Sequence, residues 1–217
     1  MNTRVPGLST TVAALYDQTR AQRVAYIDET YSLDLSHGER FYTVTAVLIE
    51  ADARDGLRTG IRQEVGSDYW HTTEELRTAA GRARTLSLLD YLADSHGSEA
   101  CVVAHTRNLD ADDHDGELAR SRALTRLLTN VCSETDDAAV AVVLEARRGR
   151  ALSNRDAATK ADAVATGQLD ARIRMLQTSP RDENLLWLPD LVCSAHRQVA
   201  TRSDRELFDR ITTEIEA

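Results

Sequence analysis

The sequence feature that most constrains the fold is an apolar stretch that runs directly into two carboxylates. Residues 23–30 read Arg-Val-Ala-Tyr-Ile-Asp-Glu-Thr. Four consecutive apolar residues of this type are typical of a strand at the centre of a sheet. Asp28 would then stand at the end of the strand or on its open face, where chemistry can reach it. We interpret Asp28 as the anchor of a divalent-metal site; the alternative is a polar turn that closes the strand.

The composition indicates one folded domain. The chain has 217 residues, of which 42% are hydrophobic and 28% charged, and this is enough to bury a core without disulfides or metals. We expect an N-terminal arm or helix over residues 1–22 and a single domain over residues 23–217.

Several absences in the sequence favour the cytoplasm. No apolar run approaches the roughly 20 residues of a membrane helix, and the N-terminus has no apolar signal core. Cys101, Cys132 and Cys193 are widely spaced within apolar patterns, which indicates buried thiols in a reducing compartment. We therefore expect a cytoplasmic protein with no membrane association.

The net charge of −9 argues against a broad nucleic-acid-binding surface, because clustered cations supply most of the affinity for phosphates. It does not exclude a nuclease. A metal-dependent active site is itself acidic until its ions bind, and a few arginines beside it are enough to hold phosphates.

Strand and helix patterns alternate along the chain and predict an α/β fold. Strands are predicted at residues 24–27, 41–49, 100–105 and 138–144, the first two paired antiparallel. The run at 138–144 is continuously apolar, as in a strand covered on both faces. Helical spacing is found in residues 8–20, 57–65, 76–93, 118–131, 161–176, 190–199 and 207–215.

Glu145 ends the apolar strand at 138–144, where a carboxylate has few structural reasons to be. Arg147, Arg148 and Arg155 follow within the next ten residues. These arginines are either a loop that brings cations toward a phosphate beside the metal site or an ordinary solvated loop.

His71 stands in a polar stretch before the helix predicted at residues 76–93. It is a candidate phosphate contact or metal ligand, with loop packing as the alternative. Thr72 and Glu75 have the spacing of a capping box, which predicts a helix start there.

Asp190 begins a helix just after Pro189, a residue that suits a first helical turn. It shares one helical face with Ser194 and Arg197, while the apolar residues occupy another face. Asp190 could therefore point into a cleft; the alternative is that it only complements the helix dipole.

The order of these segments resembles the ribonuclease H-like superfamily, in which a mixed sheet is flanked by helices. Within it the chain is similar to a bacterial family of unknown function that opens on an Ile-Asp-Glu-Ser-Gly type motif and closes on a Gln-x-Ala-Asp-Leu type motif. The matching segments here are Ile-Asp-Glu-Thr at 27–30 and Leu-Pro-Asp-Leu-Val at 188–192. The resemblance covers roughly residues 23–200. The chain departs from it in both motifs. Thr30-Tyr31 replaces Ser-Gly in the first and Leu188-Pro189 replaces Gln-x-Ala in the second. It departs also at Glu145, where an aspartate is commoner.

The resemblance implies a nuclease that hydrolyses phosphodiester bonds with two Mg²⁺ or Mn²⁺ ions about 3.5–4 Å apart. Asp28 would bridge or anchor the ions, Glu145 and Asp190 would complete the coordination, and Glu29 would be an auxiliary ligand. Hard oxygen ligands favour Mg²⁺ or Mn²⁺ over zinc.

Two other functions stay open at this point. One is a catalytically silent scaffold that binds a protein or nucleic-acid partner, and the other is a hydrolase of small phosphate compounds. Nucleic acid is the expected substrate of the nuclease. The sequence does not reveal the oligomeric state, and a homodimer is compatible with it.

Overall fold

A six-stranded mixed β-sheet positions the residues of interest. The computed structural model describes residues 9–19, 22–34, 39–94, 99–133, 138–211 and 214–216. Within them the strands are β1 Val24–Ser32, β2 Phe41–Ile49, β3 Glu99–Arg107, β4 Ala141–Glu145, β5 Arg174–Thr178 and β6 Glu214–Glu216. The helices are α1 Thr10–Gln18, α2 Arg54–Val65, α3 Thr72–Glu75, α4 Ala79–Asp94, α5 Glu117–Val131, α6 Arg150–Ala165 and α7 Trp187–Arg202.

The strand order is β5-β4-β1-β2-β3-β6. β1, β2 and β3 form an antiparallel meander, while β4 lies parallel to β1 and β5 lies parallel to β4. The chain passes from β3 to β4, beside β1, through α5, and the crossover between the parallel strands β4 and β5 runs through α6. This arrangement confirms the predicted α/β class: the fold is a ribonuclease H-like mixed sheet flanked by helices.

The two faces of the sheet bury two separate hydrophobic layers. On one face Tyr26 and Val143 pack with Trp187 and Leu191 of α7, together with apolar residues of α2 and α4. On the other face Ile27 and Leu144 pack with residues of α5, such as Leu124. Because successive side chains of a strand alternate between faces, β1 and β4 contribute to both layers.

Glu183, just before α7, is the centre of a buried network that joins α7 to α1 and α2. Glu183 is fully buried and accepts hydrogen bonds from Arg58 Nε at 3.0 Å and Arg58 Nη2 at 2.9 Å. It also accepts from the Tyr16 hydroxyl at 2.5 Å and from the Leu185 N–H at 3.0 Å. The Tyr16 hydroxyl lies 2.7 Å from that of Tyr26 on β1. α1 therefore packs against the sheet. Residues 1–8, 20 and 21 of the predicted arm lie outside the described residues, and the boundary at residue 22 stays a prediction.

Two predicted helices are wrong. The helix predicted at 161–176 is α6, which ends at Ala165, and Leu176 belongs to the additional strand β5. Gly167, at φ +72°, turns the chain away from α6, and the apolar spacing beyond it fitted either type of element. The closing helix predicted at 207–215 is instead a short 3₁₀ turn, Phe208–Arg210, followed by β6; residues 212 and 213 lie outside the described residues.

The three cysteines, Cys101, Cys132 and Cys193, are buried, as their apolar surroundings in the sequence predict. Across the helices that the structure describes, none combines the length and apolar character that a bilayer crossing requires.

Candidate active site

Asp28 and Glu145 meet where β4 ends beside β1. The parallel register pairs Ile27 with Leu144, and the next residue on each strand is a carboxylate. Since Ile27 and Leu144 face α5, alternation turns Asp28 and Glu145 toward α7. β1 continues to Ser32 after β4 has ended, so the sheet opens here into a cleft of about 550 Å³ that both carboxylates line.

β1 is longer than the sequence pattern indicated, and this changes the setting of Asp28. The strand was expected to end near Ile27, but it runs through Asp28 and Glu29 to Ser32. Both carboxylates therefore lie within a strand, where they point to opposite faces of the sheet. The polar-turn alternative for these residues is wrong.

Asp190 reaches the same cleft from α7. Trp187 and Leu191 of this helix pack on the sheet face that bears Asp28, and Asp190 lies between them in sequence. One Asp190 oxygen, Oδ2, accepts the Thr72 N–H at 2.8 Å and lies 3.9 Å from His71 Nδ1.

The same contact corrects the predicted capping box. α3 begins at Thr72 itself after His71, and the Thr72 hydroxyl accepts the Trp70 indole N–H at 2.9 Å instead of capping a helix. Asp190 supplies the acceptor for the first turn from a distant part of the chain. Glu75 ion-pairs with Arg84.

Burial raises the pKa values of all three carboxyl groups, and repulsion by neighbouring carboxylates adds to it at Asp28 and Glu145. The Asp28 pKa is well above its usual range because of burial first, then repulsion by Asp190 and Glu145, with Arg120 opposing. Burial and Asp190 raise the pKa of Glu145. Burial raises that of Asp190, against the Thr72 N–H and His71. The three groups therefore share one electrostatic environment.

The carboxylates are not gathered into a finished ligand set. Among the described residues, no three His, Cys, Asp or Glu side chains lie close enough together to hold a metal ion as they stand. The cleft thus presents three carboxylates on one face of the sheet without a preformed coordination sphere.

Glu29 points to the opposite face of the sheet, into a buried ion-pair network. Its carboxylate contacts the Arg120 guanidinium and lies 3.9 Å from Arg147 Nε. Arg120 in turn donates from Nε and Nη2 to the two oxygens of Asp156, each at 2.9 Å. Glu29 still lines the cleft, but the structure does not group it with Asp28, Glu145 and Asp190.

Of the three arginines predicted to contact phosphate, two line the cleft and one does not. Arg147 lines the cleft but ion-pairs with Glu117. Arg148 also lines the cleft and has no carboxylate partner among the described residues. Arg155 is not among the lining residues, because its guanidinium lies 3.2 Å from Asp115 and 3.3 Å from Glu117.

His71 stands at the rim of the cleft, with 49% of its side chain exposed. It is the one predicted phosphate contact that also touches the carboxylate side of the site, through Asp190. Its position beside the first turn of α3 agrees with the loop-packing alternative as well.

Sequence reasoning missed Arg120, the cation that opposes the charge of Asp28. Arg120 lies on α5, is 95% buried and lines the cleft. A signal for it existed: it precedes Leu124 by four residues and Leu128 by eight, so it stands on the buried face of an amphipathic helix. A charge on such a face requires a partner, which Asp156 provides.

Cys193 also lines the cleft, but as a neutral thiol. Its Sγ lies 3.2 Å from the Thr45 hydroxyl, and burial, followed by the charge of Asp28, raises its pKa well above the usual range. This disfavours the thiolate that a nucleophilic cysteine needs.

Comparisons with known proteins are sparse. No family model matches the sequence, and no curated protein matches it. A crystal structure of a glutamine-to-alanine mutant of Bst-RNase HIII is similar at 10% identity over 95% of this chain and 70% of that one, with a TM-score of 0.39. Bst-RNase HIII in complex with Mn²⁺ is similar at 10% identity over the same shares, with a TM-score of 0.36. TM-scores this low do not establish a fold, so the fold class rests on the order and directions of the strands.

Proposed function

We propose that the protein is a metal-dependent nuclease that hydrolyses phosphodiester bonds by a two-ion mechanism. One observation carries the proposal. Asp28, Glu145 and Asp190 come from three distant segments, yet they line one cleft, and after burial the charge of Asp190 raises the pKa values of Asp28 and Glu145. Repelling carboxylates at a strand end are costly to a fold, and such arrangements cluster at functional sites.

The donor set fits Mg²⁺ or Mn²⁺. Carboxylate oxygens are the hard ligands that these ions prefer, and the described residues that line the cleft include a single histidine and a single cysteine, not the cluster that selects zinc. Asp28 has the central place because both other carboxylates raise its pKa. Asp28, Glu145 and Asp190 would hold the ions. Because the carboxylates do not form a ready ligand set as they stand, we expect a divalent cation to draw them together.

Bound ions of this type activate water and stabilise the departing oxygen. The chain's own cations would hold the phosphate. Arg148 is the best placed of them, because it lines the cleft without a carboxylate partner, whereas Glu117 neutralises much of Arg147. Arg120 is committed to Asp156 and Glu29, so its role is to moderate the negative charge around Asp28.

The proposal is tested by cleavage of single- and double-stranded DNA and RNA with Mg²⁺ or Mn²⁺. We expect wild-type protein to cleave at least one of these polymers, and Asp28→Asn to lose activity by more than about a hundredfold. Asp52→Asn is the matched control, because Asp52 is exposed and is not among the residues lining the cleft. Equal cleavage activity of wild type and Asp28→Asn would contradict the proposal.

A catalytically silent scaffold is the second candidate, and one observation favours it: the described residues contain no preformed group of three metal ligands. Titration with Mn²⁺, followed calorimetrically, separates the two. The nuclease requires binding that Asp28→Asn abolishes, while the scaffold requires neither binding nor cleavage. A hydrolase of small phosphates would cleave nucleotides or phosphodiester monomers and leave all four polymers intact.

A further inference from the structure

A second groove adjoins the carboxylate cleft on the other side of α3. It has a volume of about 420 Å³ and lies between α3 and α7. Thr73 and Ser194 line both the groove and the cleft, so the two are continuous. A ligand long enough to occupy both would pass over these two hydroxyl-bearing residues.

The groove is lined by three arginines, none of which has a carboxylate within ion-pair distance among the described residues, although Arg202 lies near enough to Asp204 to help lower the pKa of that carboxyl. Arg77, Arg197 and Arg202 all line it, and no acidic residue does. None of the three forms an ion pair with a carboxylate among the described residues. Two arginines of the neighbouring cleft differ, because Arg120 and Arg147 are both engaged by acids.

These unpaired cations stand out against the charge of the chain. With a net charge of −9, the protein repels polyanions over most of its surface. Arg77 and Arg202 are exposed, and Arg197 is held in place by donating to the Tyr31 carbonyl at 2.5 Å. Guanidinium groups carry planar N–H donors that match phosphate oxygens, so the groove is a local anion site beside an acidic cleft.

The floor of the groove also has unused hydrogen-bonding capacity. Gln198 lines the groove and is 92% buried, and its Oε1 has no hydrogen-bond donor among the described residues. A buried amide oxygen without a partner is unusual in a folded protein. The groove thus combines fixed positive charge with a polar floor, which suits a ligand that carries anions and hydrogen-bond donors together.

We propose that this groove binds the phosphodiester backbone of a single nucleic-acid strand and leads it into the carboxylate cleft. The proposal deepens the nuclease assignment and rests on it for the direction of the strand. The cations hold phosphates that lie beyond the scissile bond, so the site recognises a polymer and not a mononucleotide. We assign a single strand because the groove has a volume of only about 420 Å³ and joins the cleft at two small residues, Thr73 and Ser194.

Binding is tested without cleavage, by fluorescence anisotropy of a fluorescein-labelled single-stranded oligonucleotide in EDTA. We expect Arg77→Ala combined with Arg202→Ala to weaken binding by about tenfold and to reduce the slope of log K against log salt by roughly 1.4. Arg197→Lys keeps the charge but loses the fork of donors, and we expect a smaller loss with an unchanged slope.

Arg174→Ala is the matched control. Arg174 is exposed and begins β5, at the opposite end of the sheet from the cleft. If this control weakens binding as much as the groove variants, the effect is one of net charge and the groove proposal is wrong. Displacement of the oligonucleotide by polyglutamate at equal charge concentration would also overturn it, in favour of an acidic protein segment.

The outcomes for the groove and for the nuclease are distinguishable. Salt-dependent binding that depends on Arg77 and Arg202, together with no cleavage under any metal, would retain the groove and remove the nuclease. Cleavage that requires Asp28 but is unchanged in the groove variants would retain the nuclease and remove the groove.

Discussion

Asp28 is the residue on which the electrostatics of the cleft converge. Two carboxylates, Asp190 and Glu145, oppose its ionised form, and one guanidinium, that of Arg120, supports it. Burial is the largest influence against the ionised form, because it removes much of the water that would otherwise solvate the carboxylate. The folded protein without metal therefore carries a local destabilisation at this residue, and a bound cation would relieve it.

We expect Asp28→Asn to stabilise the metal-free protein by about 1 kcal/mol while abolishing stabilisation by Mn²⁺. The amide keeps the shape of the side chain and removes the repelled charge. Urea unfolding in EDTA, and thermal unfolding with and without Mn²⁺, measure the two effects. A variant less stable than wild type in EDTA would contradict this account of Asp28.

The same raised pKa values set a pH dependence. Asp28, Glu145 and Asp190 have folded pKa values above their unfolded ones, so the folded state binds more protons between those values. Their contribution to stability is favourable at low pH and is lost as pH rises through the folded pKa values. We expect the stability difference between Asp28→Asn and wild type, measured by urea unfolding in EDTA, to grow as pH rises from about 4 to 8.

The Asp28→Asn difference isolates this effect from carboxyls that act in the opposite direction. The pKa of Asp170, for example, is lowered to about 2 by Arg172, so the contribution of this carboxyl to the stability of the folded protein increases as pH rises. Asp170→Asn serves as the control, and its difference from wild type should not grow in the same sense. A pH-independent difference for Asp28→Asn would contradict the prediction.

At the scale of elements, the Glu183 network fixes the position of α7. Glu183 caps the short 3₁₀ turn Asn184–Leu186 that leads directly into α7, and it binds Arg58 of α2 and Tyr16 of α1. One buried carboxylate thus holds three helical segments at the sheet face that bears Asp28. The location of Asp190 depends on this junction as well as on its own helix.

We expect Glu183→Gln to destabilise the protein by about 3 kcal/mol, because the Arg58 guanidinium would stay buried without a counter-charge. Chemical denaturation measures the loss. The matched control is Glu39→Gln at an exposed position, for which we expect a change within about 0.5 kcal/mol. Equal stability of the two variants would show that the buried pair contributes nothing beyond its volume.

At the scale of the whole molecule, the two hydrophobic layers share the strands that separate them. β1 and β4 place alternate residues in each layer, so neither layer can form without the sheet that the other also needs. This dependence makes independent folding of the two sides unfavourable. It is the physical basis for expecting a single domain over residues 23–217.

We therefore expect one cooperative unfolding transition with coincident midpoints by two probes. Trp70 and Trp187 both lie in the layer beside α7, so their fluorescence reports that side, while far-ultraviolet circular dichroism reports the whole chain. Midpoints that separate in urea would show that the layers unfold independently, against the single-domain prediction.

Much of the fold could be predicted from periodicity. The strand at residues 41–49 and the helix of α5 carry local patterns that only one type of element satisfies, and the structure has them in those places. β5 could not be predicted, because its residues are mostly half-exposed and its identity comes from hydrogen bonding to β4. Periodicity records which side of an element is buried, but not which neighbour it pairs with.

The sequence by itself determined the candidate carboxylates, since Asp28, Glu145 and Asp190 each follow or interrupt an apolar segment where a charge is costly. Only the tertiary structure decided their grouping: register and the packing of α7 bring these three to one face, while one further step along β1 sends Glu29 to the other, against Arg120. The reason is that the cost of burying a charge is visible locally, whereas the partner that offsets it lies far away in the chain.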